Sequence, residues 1–155
     1  MLTIASASET DAETMHGIQM RAFAEEGRRC GTQDLPPLRE GLESIRVHIR
    51  NQVALVARLD GRIVGCVRGL LDGEVCTIRA LVVEPERQGQ GIGSALLTAL
   101  ESEIGAAQRF DLVTNTNMEA NLVFYERHGY RIYDRTEPIP GIELAHLTKS
   151  ANSDA

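Results

Sequence analysis

A glycine-rich loop is the first place in this chain where residue types and spacing suggest chemistry. Residues 78–83 form a short apolar run typical of a buried strand, and a proline-containing turn ends it. Gly89, Gly91 and Gly93 then alternate with other residues, so the backbone can turn tightly and approach a ligand. Apolar residues at helical spacing follow. Because the first amides of a helix lack backbone partners and carry the positive end of its dipole, the loop is a candidate phosphate-binding site.

Spacing separates the kinds of phosphate loop that this segment could form. A Walker A loop requires a lysine followed by serine or threonine, but Ser94 and Ala95 follow Gly93. A dinucleotide-binding fingerprint requires a glycine where Ser94 stands and a shorter interval after its strand, although Asp111 is at a tolerable distance for a ribose contact. An ordinary glycine-rich connection between a strand and a helix is a further alternative.

Two motifs together resemble one family. The loop Gln88-Gly89-Gln90-Gly91-Ile92-Gly93, at the start of a helix, resembles the acyl-coenzyme A pyrophosphate loop of the GNAT-type N-acyltransferase superfamily. Residues 121–130 read Asn-Leu-Val-Phe-Tyr-Glu-Arg-His-Gly-Tyr and resemble the family's Asn-x-x-Phe-Tyr-x-x-x-Gly-aromatic signature, at its usual distance after the loop. The resemblance covers essentially the whole chain.

The resemblance implies the GNAT fold, an α/β (α+β) architecture with a mixed, mostly antiparallel sheet and flanking helices. Its element order is β-α-α-β-β-β-α-β-α-β-β, which matches the coarse order of predicted elements. In this fold a parallel pair, formed by the central strand and the strand at Phe110, splays apart and admits the pantetheine arm of coenzyme A.

Periodicity and turn residues predict the individual elements. Capping-box patterns at Thr10 and at Thr116 open two helices, the first of which ends near Gly27; Gly129 stops the second with a left-handed residue. We expect a single domain over 1–149 and a flexible tail over 150–155. The expected strands are 2–5, 53–58, 62–71, 78–83, 110–115, 130–134 and 142–149, and the other helices cover 38–49 and the segment that begins at Ile92.

The resemblance also implies which residues bind the cofactor. Backbone groups of the central strand would pair with pantetheine, backbone amides of the loop and the Ser94 hydroxyl would hold the pyrophosphate, and Asn121 would contact pantetheine or order its own helix. The cofactor implied is acetyl-CoA, as acyl donor, and no metal is required. The implied cofactor-binding residues are Leu81, Val82, Val83, Gln88, Gly89, Gln90, Gly91, Ile92, Gly93, Ser94 and Asn121.

Tyr125 is the residue to which the family assigns the chemistry of the leaving group. When an amine attacks a thioester, a thiolate is expelled, and a phenol with a pKa near ~10 can donate a proton to a leaving group of similar basicity. The alternative is an amphipathic core tyrosine at a helix end.

The general base is less well defined by the sequence. Some family members carry a carboxylate midway along the central strand, where this chain reads Thr77-Ile78-Arg79. Glu74, beside a turn, is a candidate base, but a solvated hairpin residue and a chain of water molecules are the alternatives. The four histidines, at positions 16, 48, 128 and 146, are dispersed without metal-ligand spacing and are interpreted as structural.

Composition narrows the class of protein. The chain has 155 residues, 43% of them hydrophobic and 25% charged, and a net charge of −6, which is ordinary for a globular domain and argues against nucleic-acid binding. It begins with neither a basic, apolar signal segment nor a membrane span, so we expect a cytoplasmic protein. Cys30, Cys66 and Cys76 are expected to be free thiols.

The sequence therefore predicts an acetyl-CoA-dependent N-acetyltransferase that acts on a primary amine of a small molecule or peptide. A non-catalytic acyl-CoA-binding or sensor module and a nucleotide-binding oxidoreductase are the alternatives. Family habit makes a homodimer plausible. The resemblance implies an acceptor groove bounded by two segments, which in this chain are residues 25–40 and 134–141. Each segment has a slight acidic excess, which favours a cationic amine as acceptor. Arg79, however, could instead pair with the carboxylate of an amino-acid acceptor.

Overall fold

The structure, a computed structural model, describes residues 1–151. Two 3₁₀ turns, Glu9–Asp11 and Pro85–Arg87, precede the first and fourth helices. The strands are β1 (Leu2–Ser6), β2 (Val53–Leu59), β3 (Arg62–Asp72), β4 (Val75–Val83), β5 (Arg109–Asn115), β6 (Arg131–Ile139) and β7 (Ile142–Ser150). The helices are α1 (Ala12–Cys30), α2 (Pro36–Arg39), α3 (Leu42–Asn51), α4 (Ile92–Glu103) and α5 (Glu119–Arg127).

The strands form a seven-stranded sheet in the order β1-β2-β3-β4-β5-β7-β6. β1 with β2, β2 with β3, β5 with β7 and β6 with β7 pair antiparallel, whereas β4 and β5 pair parallel. The predicted fold class, a mixed and mostly antiparallel sheet with one parallel pair and flanking helices, is confirmed. In the described chain the register of β4 with β5 contains three pairs, at Val75, Cys76 and Thr77, in a strand of nine residues.

The first of two compact units consists of Met1–Leu70 and Ile78–Gly105. Helices α1 and α3 supply apolar faces, on which Met15, Ile18 and Ile45 are at most 1% exposed. α4 buries Leu96, Leu97 and Leu100 completely, as its helical spacing of apolar residues predicts. The buried residues that pack with α1 and α3 are Ala54, Val56, Cys66 and Val82.

The second unit consists of Leu71–Thr77 and the chain from Ala106 onward. Phe110 and Leu112 alternate with more exposed residues along β5 and are 3% exposed, and Leu147 of β7 is fully buried. α5 ends at Arg127 and is followed by Gly129, whose φ of 93° is left-handed, and the Tyr130 amide donates to the Tyr125 carbonyl at 3.0 Å. The predicted stop of this helix at Gly129 is confirmed.

Two predictions about the helices before β2 are wrong. α1 does not end near Gly27 but at Cys30, and Gly31 supplies the left-handed residue, with φ 72°. Gly27 is needed for space, because a Cβ there would lie 2.5 Å from the Thr32 carbonyl oxygen. Residues 38–49 also form two helices rather than one, separated by Glu40 and Gly41 in extended conformations.

Both capping-box predictions miss the actual helix starts. Before α1, the capping-box hydrogen bond is made by Ser8 rather than Thr10. The Ser8 amide donates to the Asp11 carboxylate at 2.9 Å. α5 begins at Glu119 without a side-chain cap, after a turn in which the Asn117 amide donates to the Asn115 side chain at 2.9 Å. Short polar side chains therefore form these turns, but one or two positions away from the predicted ones.

The tail predicted from residue 150 begins too early. Ser150 is the last residue of β7, opposite Arg109, and the Ala151 amide donates to the Gln108 carbonyl at 2.9 Å. Residues 152–155, the rest of that prediction, lie outside the described residues. In the part of the chain that the structure describes, none of the helices combines the length and apolar character needed to cross a bilayer.

Candidate active site

The last part of β4 contains an unusual backbone conformation. Ala80 has φ 51°, in the left-handed region that non-glycine residues avoid at a cost of roughly 1–2 kcal/mol. Residues in such conformations concentrate at functional sites. Leu81 and Val83, the residues predicted to pair with pantetheine, follow directly and are half-buried, whereas Val82 is 4% exposed and packs into the core.

The end of β4 is held by contacts of Glu84. Its amide donates to the Val64 carbonyl at 2.8 Å, and its two carboxylate oxygens accept bonds from the Arg21 guanidinium at 2.9 and 2.7 Å. The Gln88 side chain also donates to the Val83 carbonyl at 3.3 Å. Arg21 of α1 therefore fixes the point at which the chain leaves the sheet and enters the glycine loop.

The three glycines of the loop have different roles. Gly89 and Gly91 have φ of 81° and 82°, and a Cβ on either would meet no atom within 4 Å. Gly91 precedes α4, and its carbonyl accepts the Ala95 amide at 3.1 Å. Gly93 lies inside the first turn of α4. The loop thus combines left-handed turns, open space and helix amides without intrahelical partners, which is the combination that suits phosphate oxygens.

Close packing positions α4. A Cβ at Gly65 of β3 would lie 2.9 Å from the Val82 carbonyl oxygen, 3.1 Å from Leu96 Cδ1 and 3.3 Å from Ile92 Cγ2. The start of the helix therefore rests directly on the backbone of β3. The sequence reasoning missed this role, although a glycine inside a predicted strand is a known sign of close approach.

In the second unit, α5 carries the second predicted set of site residues. Tyr125 is half-buried, and its ring makes edge contacts with Phe124 and Tyr130 at centroid distances of 5.2 and 6.0 Å. Asn121 is half-buried near the start of the helix, and within the described chain no protein group bonds to its side-chain amide. Both residues thus lie on one short helix whose end is fixed by Gly129.

Glu74, the candidate base, lies in the turn before β4 with its side chain exposed. Its carbonyl accepts the amides of Gln108 at 2.7 Å and Arg109 at 3.2 Å, so its backbone joins the starts of β4 and β5. Glu74 precedes β4, whereas the glycine loop follows that strand. Its environment is that of a solvated turn residue.

The histidines have local partners. His16 and His128 bond to the carbonyl oxygens of Glu40 and Phe124, at 3.1 and 2.8 Å, and His146 bonds to the Thr136 hydroxyl at 2.9 Å. Among the described residues there is no group of three or more His, Cys, Asp or Glu side chains placed to hold a metal ion. Cys30, Cys66 and Cys76 form no disulfide, as predicted, and burial raises the pKa of Cys66 to about 12.

A buried ion pair in the first unit was not predicted. Arg68 of β3 is 4% exposed and donates to the two Glu40 carboxylate oxygens at 2.9 and 2.5 Å. Gln19 and Ser44 also donate to this carboxylate, at 2.9 and 2.6 Å. Burial alone would raise the pKa of Glu40, but the bonds from Arg68, Gln19 and Ser44 hold it at about 2. No sequence motif marks this network.

Ion pairs also neutralise two of the four carboxylates on which the predicted acidic excess of residues 25–40 depends. Glu25 pairs with Arg28 and Arg29. Glu40 pairs with Arg68, a cation outside the counted segment. The acidic character inferred from that count is therefore not present at Glu25 or Glu40.

Comparisons with known proteins bear on this geometry. Residues 50–132 match the family model "Acetyltransferase (GNAT) domain", which is more than half of the chain. The chain belongs to the GNAT acetyltransferase family. Its GNAT domain includes both the glycine loop and α5.

Individual relatives are more distant. The "Uncharacterized protein YdhI" of Bacillus subtilis is 34% identical over 73 residues, which cover 46% of this chain and 44% of that protein, so the chain spans under half of its length. The PaiA N-acetyltransferase of Thermoplasma acidophilum, solved in complex with coenzyme A, superposes with a TM-score of 0.84 at 17% identity over 97% of this chain and 99% of that one. YncA of Salmonella typhimurium, solved with its cofactor acetyl-CoA, has a TM-score of 0.78 at 16% identity over 100% and 96% of the two chains. At these identities the structural similarity supports the fold.

Proposed function

We propose that this protein transfers an acetyl group from acetyl-CoA to a primary amine of a small molecule or peptide by direct attack of the amine. The observation that carries the proposal is the glycine loop. Gly89 and Gly91 are left-handed and open on the side where a Cβ would stand, directly before the amides of α4. The residues present therefore fit a pyrophosphate group, and membership of the GNAT family supports an acyltransferase.

The chain's own groups would bind the donor in two places. The amides of residues 88–94, with the Ser94 hydroxyl, would bind the pyrophosphate, where the partial positive charge of α4 favours phosphate. The backbone of Leu81 and Val83 would pair with pantetheine as an added strand does, since both follow the left-handed Ala80 near the end of β4. Asn121 would offer its amide, which bonds to no group in the described protein.

Tyr125 would act as the general acid. Bound acetyl-CoA supplies a thioester carbonyl, at which the amine forms the new C–N bond while the C–S bond breaks. Tyr125 then donates its phenolic proton to the departing sulfur, and edge contacts with Phe124 and Tyr130 hold the ring for that role. The proton released by the amine passes to water or to a base, for which Glu74 is the exposed candidate.

Two measurements test this function. Calorimetric titration with acetyl-CoA measures binding, and release of free thiol in the presence of a panel of amines measures transfer. Binding together with amine-dependent thiol release is expected. Binding without turnover across the panel would instead indicate an acyl-CoA-binding module, and tight binding of nicotinamide dinucleotides without coenzyme A binding would indicate the oxidoreductase alternative.

A further inference from the structure

Of the eleven arginines in the first unit, seven form ion pairs with carboxylates. Arg21, Arg50, Arg58 and Arg68 pair with Glu84, Glu9, Asp11 and Glu40 at 2.5 to 3.0 Å, and the three other paired arginines bond to glutamates of their own helices. In the described chain, Arg79 has no ion pair and no side-chain hydrogen bond, and its side chain is exposed. Arg39, Arg62 and Arg87 also lack an ion pair there, but they lie at the edges of elements. Arg79 stands in the interior of β4.

The positive charge of Arg79 acts electrostatically on His48. The His48 Nε2 bonds to the carbonyls of Val53 and Gly69 at 3.0 and 3.2 Å. Burial lowers the pKa of His48, and the charges of Arg68 and Arg79 lower it further against the effect of the two carbonyls. His48 is therefore neutral near pH 7 and adds no charge. Arg68 is already neutralised by Glu40, which leaves Arg79 as the uncompensated cation of this group.

We propose that Arg79 is the binding residue for a carboxylate on the acceptor, and that the acceptors are amines that carry a carboxylate, such as free amino acids. This inference rests on the proposed acetyl transfer. An arginine guanidinium can bind a carboxylate through two parallel hydrogen bonds, and no protein carboxylate occupies that position in the described chain.

The place of Arg79 in the strand supports an amino acid rather than a large anion. Arg79 immediately precedes Ala80, whose left-handed conformation redirects the chain, and it stands two residues before Leu81, where the donor's pantetheine would pair. Two residues of chain span at most roughly 7 Å, whatever the conformation of Ala80. An α-amino acid carries its amine and carboxylate on one carbon, so a carboxylate bound to Arg79 leaves the amine within a short distance of the donor.

Matched acceptors test the inference. Phenylalanine and phenethylamine, or lysine and cadaverine, differ by the carboxylate, and kcat/KM for each pair is measured with wild type, Arg79→Gln and Arg79→Lys. We expect the wild type to prefer the amino acid. Arg79→Gln should lower kcat/KM for the amino acid about 10- to 100-fold, the usual loss of a charged hydrogen bond, and leave the decarboxylated amine unchanged. Arg79→Lys should restore part of the preference, because it retains the charge without the planar fork.

Arg62→Gln is the matched control, because Arg62 also lacks an ion pair in the described chain but opens β3 beside a turn. The inference is overturned if wild type uses both members of each pair equally, if Arg79→Gln lowers both equally, or if Arg62→Gln has the same effect. Calorimetric binding of the same compounds to the protein saturated with coenzyme A separates this inference from the proposed function. If thiol release fails for every amine, selective binding of the amino acid that Arg79→Gln removes still supports the carboxylate site, and its absence refutes it.

Discussion

Removing the Glu40 carboxylate should destabilise the protein strongly near neutral pH and weakly in acid. Glu40 has a pKa of about 2 in the folded protein, against the ordinary pKa of 4.5 for a glutamate carboxyl. A difference of this size corresponds to roughly 3 kcal/mol of folding free energy at pH 7. The side chains of Arg68 and Glu40 are 5% and 21% exposed, so solvent screens the pair little. Glu40→Gln also leaves the Arg68 cation buried without a countercharge, which is the costly way to break such a pair.

The pH dependence gives this prediction its sign. Because the folded pKa is depressed, the stabilisation is complete above about pH 4.5, the unfolded value, and is lost as the pH falls toward 2. At pH 3 the stabilisation from Glu40 should already be less than about half of its value at pH 7. Glu40→Gln carries no titrating group at this position, so the difference in unfolding free energy between wild type and variant should narrow from about 3 kcal/mol at pH 7 toward zero in acid.

Urea denaturation followed by far-ultraviolet circular dichroism at pH 7, 4 and 3 measures this difference, since the chain has no tryptophan to report by fluorescence. Glu43→Gln is the control, because Glu43 pairs with Arg46 and Arg50 but is 67% exposed, and it should change stability by less than ~1 kcal/mol. A gap between wild type and Glu40→Gln that stays constant from pH 7 to pH 3 would refute the electrostatic explanation.

The other predictions concern the glycine loop, the general acid, the base and the packing of α4 against Gly65. Gly91→Val should stay folded but lose acetyl-CoA binding in calorimetry. The control is Gly61→Val, which has the same left-handed φ and equally open space, so it should bear similar strain and keep binding. Equal loss of binding in both variants would contradict the phosphate role of Gly91. Tyr125→Phe should lower kcat about 10²-fold with unchanged acetyl-CoA affinity, while Tyr133→Phe, at an exposed position, should have no effect. Glu74→Gln should change kcat less than about 3-fold, because a solvated turn carboxylate transfers protons little better than water, and a loss near 10²-fold would make Glu74 the base. Gly65→Ala should reduce the free energy of unfolding by about 1–3 kcal/mol in urea denaturation, unlike Gly105→Ala, where a Cβ meets no atom within 4 Å.

The fold was largely predictable because its signals are local. The apolar stripe of α4, the alternation along β5 and the left-handed stop at Gly129 each lie within one short segment of sequence. Element boundaries were less predictable for the same reason. Gly27 resembles a helix stop in the sequence, but it lies inside α1. A glycine is required there because the Thr32 carbonyl, five residues later, occupies the space that a side chain of residue 27 would fill.

The geometry of the candidate site was predictable where glycines alternate in one short segment, because Gly89 and Gly91 adopt the left-handed conformation that such glycines allow. It was not predictable where distant residues meet. Arg21 and Glu84 are 63 residues apart, and Arg68 and Glu40 are 28 residues apart, so neither pair leaves a pattern that a single sequence can reveal. The left-handed conformation of Ala80 is equally invisible, because alanine has no preference for it.

The charge of the acceptor site shows how such distant pairs change a functional interpretation. A count over residues 25–40 and 134–141 favoured a cationic acceptor, but a count treats every carboxylate as available to a ligand. Glu40 is not available, because Arg68 comes from β3 to neutralise it. That pairing also leaves Arg79 as the uncompensated cation near His48, so the proposed acceptor site would select for a carboxylate although the whole chain carries −6. The electric field that a bound acceptor experiences depends on which charges remain unpaired close to it. The Debye screening length is roughly 8–10 Å at physiological ionic strength, so more distant charges contribute little to that field.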